Sequence, residues 1–371
     1  MRAAADQIEA ERELPAPVLH ALVDAGLFHV LLPHQIGGLE LDLPAYLEMV
    51  ETIGQADAST AWCVNQAAVI ATFSASLPEG SARKVWVDTP RAVLANTPIP
   101  AANAIPAPGG YRVSGPKLPF STGCRHANWF APRAVILDDG VPRDLPSGER
   151  DVRYFIMPAA DVQILDTWST RGLRGTGTHH FAVNDVFVPD ELTVHVNAAA
   201  RPGHGPLYQF PRTLLFASGD AATALGAARS CIESFLDLAG AKLPINTRGT
   251  LREQPQAHHA VGHAEAALRS GRAYLYQTAR DLWTAVSASG VITLDQRSEL
   301  RLATTHAIRL AAQAVDAIYN AAGATAVFES HPIQRYFQDA HVMTQHLQGR
   351  LAHYDLVGQH LLGLPIDEIV L

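Results

Sequence analysis

Gly172-Leu173-Arg174-Gly175-Thr176-Gly177-Thr178 is the stretch on which the reading turns; Trp168 precedes it, and Phe181 and Val186-Phe187-Val188-Pro189 follow. Three glycines in six residues let a backbone pass close to a flat ligand, and Thr176 and Thr178 supply hydroxyls and amides there. The order is G-x-x-G-x-G, not the G-x-G-x-x-G of a dinucleotide fold, and β-type sequence follows it rather than a helix. By itself such a loop is more often only a tight turn. Its surroundings decide.

The loop lies near the end of a β-rich zone, 89–195, with short runs at 92–94, 110–113, 129–137, 153–157, 162–165 and 181–188. Pro108-Gly109-Gly110, Asp138-Asp139-Gly140 and Pro146-Ser147-Gly148 punctuate them, which predicts a compact sheet or small barrel. Residues 1–88 read instead as short helices. Pro17 fits a first helical turn that Gly26 ends, Asp57 or Ser59 can cap the helix carrying Trp62, and Pro78 can open another. Residues 196–371 read as a helical bundle with long segments near 211–240 and 255–289. A third follows a Thr293-x-x-Gln296 capping box, and a last long helix runs from Pro332 through His346 to Leu361. Alanine-lined stripes allow close helix packing, so a four-helix bundle follows. Within that zone 197–211, with three prolines and two glycines, reads as a mobile loop over a site. The fold class is α+β.

Composition bounds the function. The chain has 371 residues, 48% hydrophobic and 17% charged, enough for a large core and two or three domains. Only Lys84, Lys117 and Lys242 are lysines among 28 basic residues, and the net charge is −8, so no nucleic-acid partner is expected. Cys63, Cys124 and Cys231 are few and odd in number, which suits reduced thiols in a cytoplasm. The charged, amphipathic start is not read as a signal peptide, and no apolar run long enough to span a membrane is seen.

Leu22-Val23-Asp24-Ala25-Gly26-Leu27-Phe28, Leu32-Pro33, Gly37-Gly38 and Asp57-Ala58-Ser59-Thr60-Ala61-Trp62 resemble the N-terminal domain of the acyl-CoA dehydrogenase superfamily. Phe120-Ser121-Thr122-Gly123-Cys124-x-His126-Ala127-x-Trp129, with the glycine loop, resembles that superfamily's flavin-dependent monooxygenase branch. Arg335-x-x-Gln338-Asp339-x6-His346 and Leu361-Leu362-Gly363 extend the resemblance over essentially the whole chain. It implies the oxygenase component of a two-component (group D type) system acting on a small, aromatic or polycyclic substrate. Reduced FMN or FAD would come from a separate reductase and react with O2 through a C4a-hydroperoxide. A homotetramer is implied too. The alternative is an acyl-CoA dehydrogenase or related flavin oxidase.

The same resemblance distributes roles. Dehydrogenases often station a catalytic glutamate near 346, but here Thr344-Gln345-His346-Leu347 holds no carboxylate, and an imidazole suits oxygen activation. Arg335 and Asp339 are spaced to pair along a helix, and Asp339 and His346 to share a face. A hydroxyl at Ser121 or Thr122 would bond the flavin N5 edge, with Ser121 preferred. Trp168, Arg174, Thr176, Gly177 and Thr178 would shape the flavin pocket, Arg174 offsetting flavin charge. Asn65 and Gln66 stand where phenol-hydroxylating relatives carry histidines and would contact substrate. Leu118 replaces an aromatic of the pattern, Gln338 an arginine, and His179-His180 depart from it; the two are not read as ligands. His259 and His263 have metal-compatible spacing but no third ligand, so no metal is expected.

Overall fold

The computed structural model describes residues 1–366. Five helices come first: α1 (Ala5–Glu11), α2 (Ala16–Asp24), α3 (Leu43–Ala56), α4 (Ala58–Ala71) and α5 (Glu79–Trp86). Their ends follow local chemistry. Pro17 lies in the first turn of α2, and Gly26 leaves that helix with φ +70°. Asp57, rather than Ser59, caps α4, its carboxylate accepting from Thr60 N at 2.6 Å. Of the 14 residues of α4 only Gln66 is not buried. A helix so enclosed has to pack on every side. Up to Val69 it belongs to the helical core, whereas Ile70 and Ala71 belong to the core of the β domain. It is the wall the two share.

The β domain contains β1 (Leu94–Asn96), β2 (Ala102–Ala107), β3 (Gly110–Ser121), β4 (Trp129–Ala131), β5 (Arg133–Asp138) and β6 (Val141–Pro142). It continues with β7 (Val152–Phe155), β8 (Met157–Pro158), β9 (Gln163–Leu165), β10 (His179–Pro189) and β11 (Thr193–His195). A mixed sheet runs β11-β7-β5-β2-β3-β10-β9 with β6 on β5, and β1-β4-β8 form a smaller sheet. Sequence reasoning missed β2, because Ala-Asn-Ala-Ile-Pro-Ala has little strand propensity and contains a proline; tertiary pairing with β3 and β5 overrides this. It also stopped β3 at 113. The strand continues because β10 pairs with it as far as Ser121↔His179, through three irregularities of register. Phe120 sits beside one of them with φ +61°, which turns its ring outward and Ser121 inward.

The rest is helical: α6 (Arg212–Ala241), α7 (Pro255–Ser289), α8 (Leu294–Ala322), α9 (Pro332–Gln345) and α10 (Ala352–Leu361). Thr293 and Gln296 form the expected capping box. The last long helix is broken. His346 is extended (φ −66°, ψ 153°), and residues 347–349 make a separate 3-10 turn before α10. Arg309 of α8 bridges the break, donating to the carbonyl oxygens of Thr344 (3.1 Å) and Gly349 on either side of it. Residues 197–211 include one 3-10 turn, Pro206–Gln209. They are tied down by Arg201 N to Ala75 O (2.8 Å), Gln35 to Gly203 O (2.7 Å), Tyr208 to Leu31 O (2.9 Å) and Arg212 to Ala198 O (3.2 Å). No helix among the described residues is long and apolar enough to cross a membrane.

Candidate active site

The glycines of the 172–178 loop pack closely against the protein. A β-carbon on Gly172 would stand 2.4 Å from Gln338 O of α9. One on Gly175 would stand 2.0 Å from Ile8 Cγ2 of α1 and 3.0 Å from Ser59 Cβ of α4. Gly177 turns the chain with φ +50° into β10. The loop is therefore wedged among three helices.

What it presents is a line of hydroxyls. Thr176 donates to Leu173 O at 2.7 Å, so it must accept from Thr178 Oγ1 at 2.7 Å; Thr178, its proton spent, must accept from Thr122 Oγ1 at 3.0 Å. Trp168 Nε1 donates to the same Leu173 O at 3.0 Å. Ser121 is outside this line. Its Oγ is fully buried and has no hydrogen-bond partner among the described residues. His179, its register partner on β10, accepts from Thr167 N (3.1 Å) and Trp168 N (3.0 Å) through Nδ1, which leaves the proton on Nε2, also buried and unbonded. Burial lowers the pKa of this imidazole and keeps it neutral. Arg174 turns away toward α1, donating to Glu9 O and pairing with its carboxylate at 3.1 Å.

α4 links this half to His346. Cys63 Sγ faces Thr176 O at 3.8 Å, and the neighbouring Trp62 meets the His346 ring edge-on with centroids 4.8 Å apart. Gln66, one turn beyond Trp62, faces the same region. The acid beside His346 is one that sequence reasoning missed: Asp220 of α6, 1% exposed, with Oδ2 3.0 Å from His346 Nδ1. Its Oδ1 accepts from Asn65 Nδ2 at 2.7 Å and Gln66 Nε2 at 3.4 Å. Tyr46 in turn donates to Asn65 Oδ1, and Gly219 makes room for that amide, since a β-carbon there would stand 2.1 Å from Asn65 Oδ1. Burial raises the Asp220 carboxyl above its ordinary value, and His346, Asn65 and Gln66 offset this only in part. Arg301, buried in α8, donates to Gln348 Oε1 at 2.6 Å, two residues after His346. No local signal marked Asp220. It stands among alanines in a helix that reads as plain core.

Asp339 does something else. The break at His346 ends any shared helical face; Asp339 Oδ1 accepts from Leu173 N at 2.6 Å instead, pinning the glycine loop to α9. Burial pushes this carboxyl up to about 8. Arg335 pairs with Asp6 at 2.9 Å rather than along its own helix. His259 and His263 stack on α7 with ring centroids 6.3 Å apart, and no group of three metal-binding side chains occurs among the described residues.

Comparison with known proteins identifies the family. Models of the acyl-CoA dehydrogenase N-terminal and C-terminal domains match residues 1–77 and 218–350. An indole-3-acetate monooxygenase of Pseudomonas putida is 30% identical over 93% of this chain and 86% of its own. The flavin-dependent monooxygenase oxygenase subunit HsaA of Mycobacterium tuberculosis is 27% identical over 98% and 93%. The structure of XiaF from Streptomyces sp., in complex with FADH2 and glycerol, superposes with a TM-score of 0.89 at 25% identity, covering 98% of this chain and 92% of that one. The chain belongs to the acyl-CoA dehydrogenase superfamily, in its flavin-dependent monooxygenase branch. It is an oxidoreductase that works with reduced flavin.

Proposed function

We propose that the chain is the oxygenase component of a two-component system that hydroxylates or oxygenates a small aromatic or polycyclic molecule. Reduced FMN or FAD comes from a separate reductase. Net, one oxygen atom of O2 enters the substrate, the other leaves as water, and the flavin gives up two electrons. The relatives named above support an aromatic substrate. The flavin, when bound, supplies oxygen activation; the chain holds it, excludes water and handles protons.

The observation that carries this reading is the buried, unbonded Ser121 Oγ. A buried hydroxyl without a partner is costly, and a hydrogen-bonding ligand edge would relieve it. Both hydroxyls keep lone pairs that can accept from the flavin N5 edge, but Thr122 is already bonded to Thr178 whereas Ser121 has no partner, so Ser121 is the one a ligand would relieve. Trp168, Arg174 and residues 176–178 shape the pocket, with Arg174 acting through Glu9. His346 is the proton-handling residue on the other side of α4, and Gln66, backed by Asn65, meets the substrate. The dehydrogenase alternative needs a free base. Asp220, the acid that stands at this site, is occupied by His346 and two amides.

The test mixes the anaerobic protein with photoreduced FMN or FAD, then admits ¹⁸O2 with a panel of aromatic compounds. Preferential binding of reduced flavin and one labelled oxygen in the product are expected. A protein that binds FAD tightly and bleaches with an acyl thioester would refute the proposal.

A further inference from the structure

We propose that Asp220 is the positioning residue that sets the tautomer of His346, holding the proton on Nδ1 and turning Nε2 to the substrate side. The proposal rests on the reading of His346 as the proton-handling group.

Three observations converge. Asp220 Oδ2 lies 3.0 Å from His346 Nδ1, an ion-pair distance off the line of a well-directed hydrogen bond, and no hydrogen-bond donor reaches that oxygen among the described residues. Oδ1 takes both amide donors, from Asn65 and Gln66, which stabilises the ionised form of the acid. An ionised carboxylate can only accept, so the imidazole nitrogen facing it must carry hydrogen. Gln348 N donates toward Nδ1 at 3.5 Å, the limit of a hydrogen bond and the contact the opposite tautomer would keep; the carboxylate oxygen at 3.0 Å is the nearer and stronger partner. Behind the acid the chain continues to Asn65 and Tyr46, both fully buried, and Gly219 is bare where the Asn65 amide seats. Asp220 thus has little freedom to turn. His346, by contrast, is 33% exposed, and its Nε2 is the nitrogen left to exchange protons with a bound reactant.

The same geometry makes Asp220→Asn diagnostic. The new side chain must keep its oxygen toward the Asn65 and Gln66 donors, because an NH2 group there would face two N–H groups. Its NH2 then faces His346 Nδ1, which has to give up its hydrogen. The substitution keeps the shape and inverts the tautomer.

Solid-state ¹⁵N spectra of histidine-labelled protein read this directly, the His346 signals being assigned by their loss in His346→Gln. In the wild type we expect a protonated Nδ1 and a bare Nε2; the opposite tautomer overturns the proposal with no variant needed. In Asp220→Asn we expect the inverted tautomer, and labelled product per reduced flavin falling at least roughly tenfold. Binding of reduced flavin should stay within about threefold of wild type, because Asp220 does not face the Ser121 half. A folded Asp220→Asn protein with unchanged tautomer, or with inverted tautomer and undiminished product, overturns it. Absence of labelled product from the wild type refutes the monooxygenase reading, whereas the wild-type spectrum decides the Asp220–His346 assignment independently.

Discussion

Ser121 and Asp339 are both buried polar groups, and they behave in opposite ways. The Ser121 hydroxyl makes no bond, so deleting it leaves nothing unsatisfied. Ser121→Ala should therefore change unfolding free energy by no more than about 1 kcal/mol in the flavin-free protein. Product formed per reduced flavin should nevertheless fall roughly tenfold or more, as the N5 contact is lost. Chemical denaturation and ¹⁸O incorporation measure the two effects. Asp339 is bonded but desolvated, its carboxyl raised from an ordinary 3.8 to about 8. Below the lower value folded and unfolded chains both hold the proton. Between the two the folded chain alone holds it, so this group's contribution to stability declines as pH rises through that window. An asparagine side chain in its place cannot ionise and still offers an oxygen to Leu173 N. Asp339→Asn should gain stability relative to wild type between about pH 5 and about pH 8.5, as urea titrations at both ends would show.

One helix and one loop organise the site. α4 borders Thr176 through Cys63 and His346 through Trp62, and it reaches Asp220 through Asn65 and Gln66. Because all of it but Gln66 is buried, these neighbours are held at fixed spacing. The glycine loop owes its position to contacts behind it. A methyl group at residue 172 would meet the backbone oxygen of Gln338, which cannot swing aside as a side chain can. Gly172→Ala should cost about 1–3 kcal/mol in denaturant unfolding and weaken reduced-flavin binding, since moving α9 also moves Asp339 off Leu173. The same substitution at Gly80, where a β-carbon meets nothing within 4 Å, is the control.

At the level of the assembled enzyme, the sequence shows no dinucleotide fingerprint of its own. Purified protein given NADH and FMN or FAD should form no product until a separate flavin reductase is added. Product without that addition would contradict the division of labour proposed here. The family resemblance also leads us to expect a homotetramer, with a mass near four times the 39.8 kDa of one chain by light scattering. Exposed Leu236, Leu243 and Ile245 around the end of α6 are apolar surface that a partner copy could cover.

Much of this was legible in the chain. Helix caps at Asp57 and Thr293, the α–β–α order and the motifs around Ser121, residues 172–178 and His346 are local patterns, written in neighbouring residues. Local chemistry is enough to specify them, because caps, turns and periodicity act over a few positions. Three things were not legible. Alanine-rich α6 hides Asp220, whose importance comes from Asn65, Gln66 and His346, far away in sequence. The helix from Pro332 carries no breaker at His346, yet it ends there, and Arg309 of another helix bonds the carbonyls on both sides of the break. And nothing local in the loop shows that α1, α4 and α9 press on its glycines. In each case the deciding interaction joins residues distant along the chain, and packing alone brings such residues together.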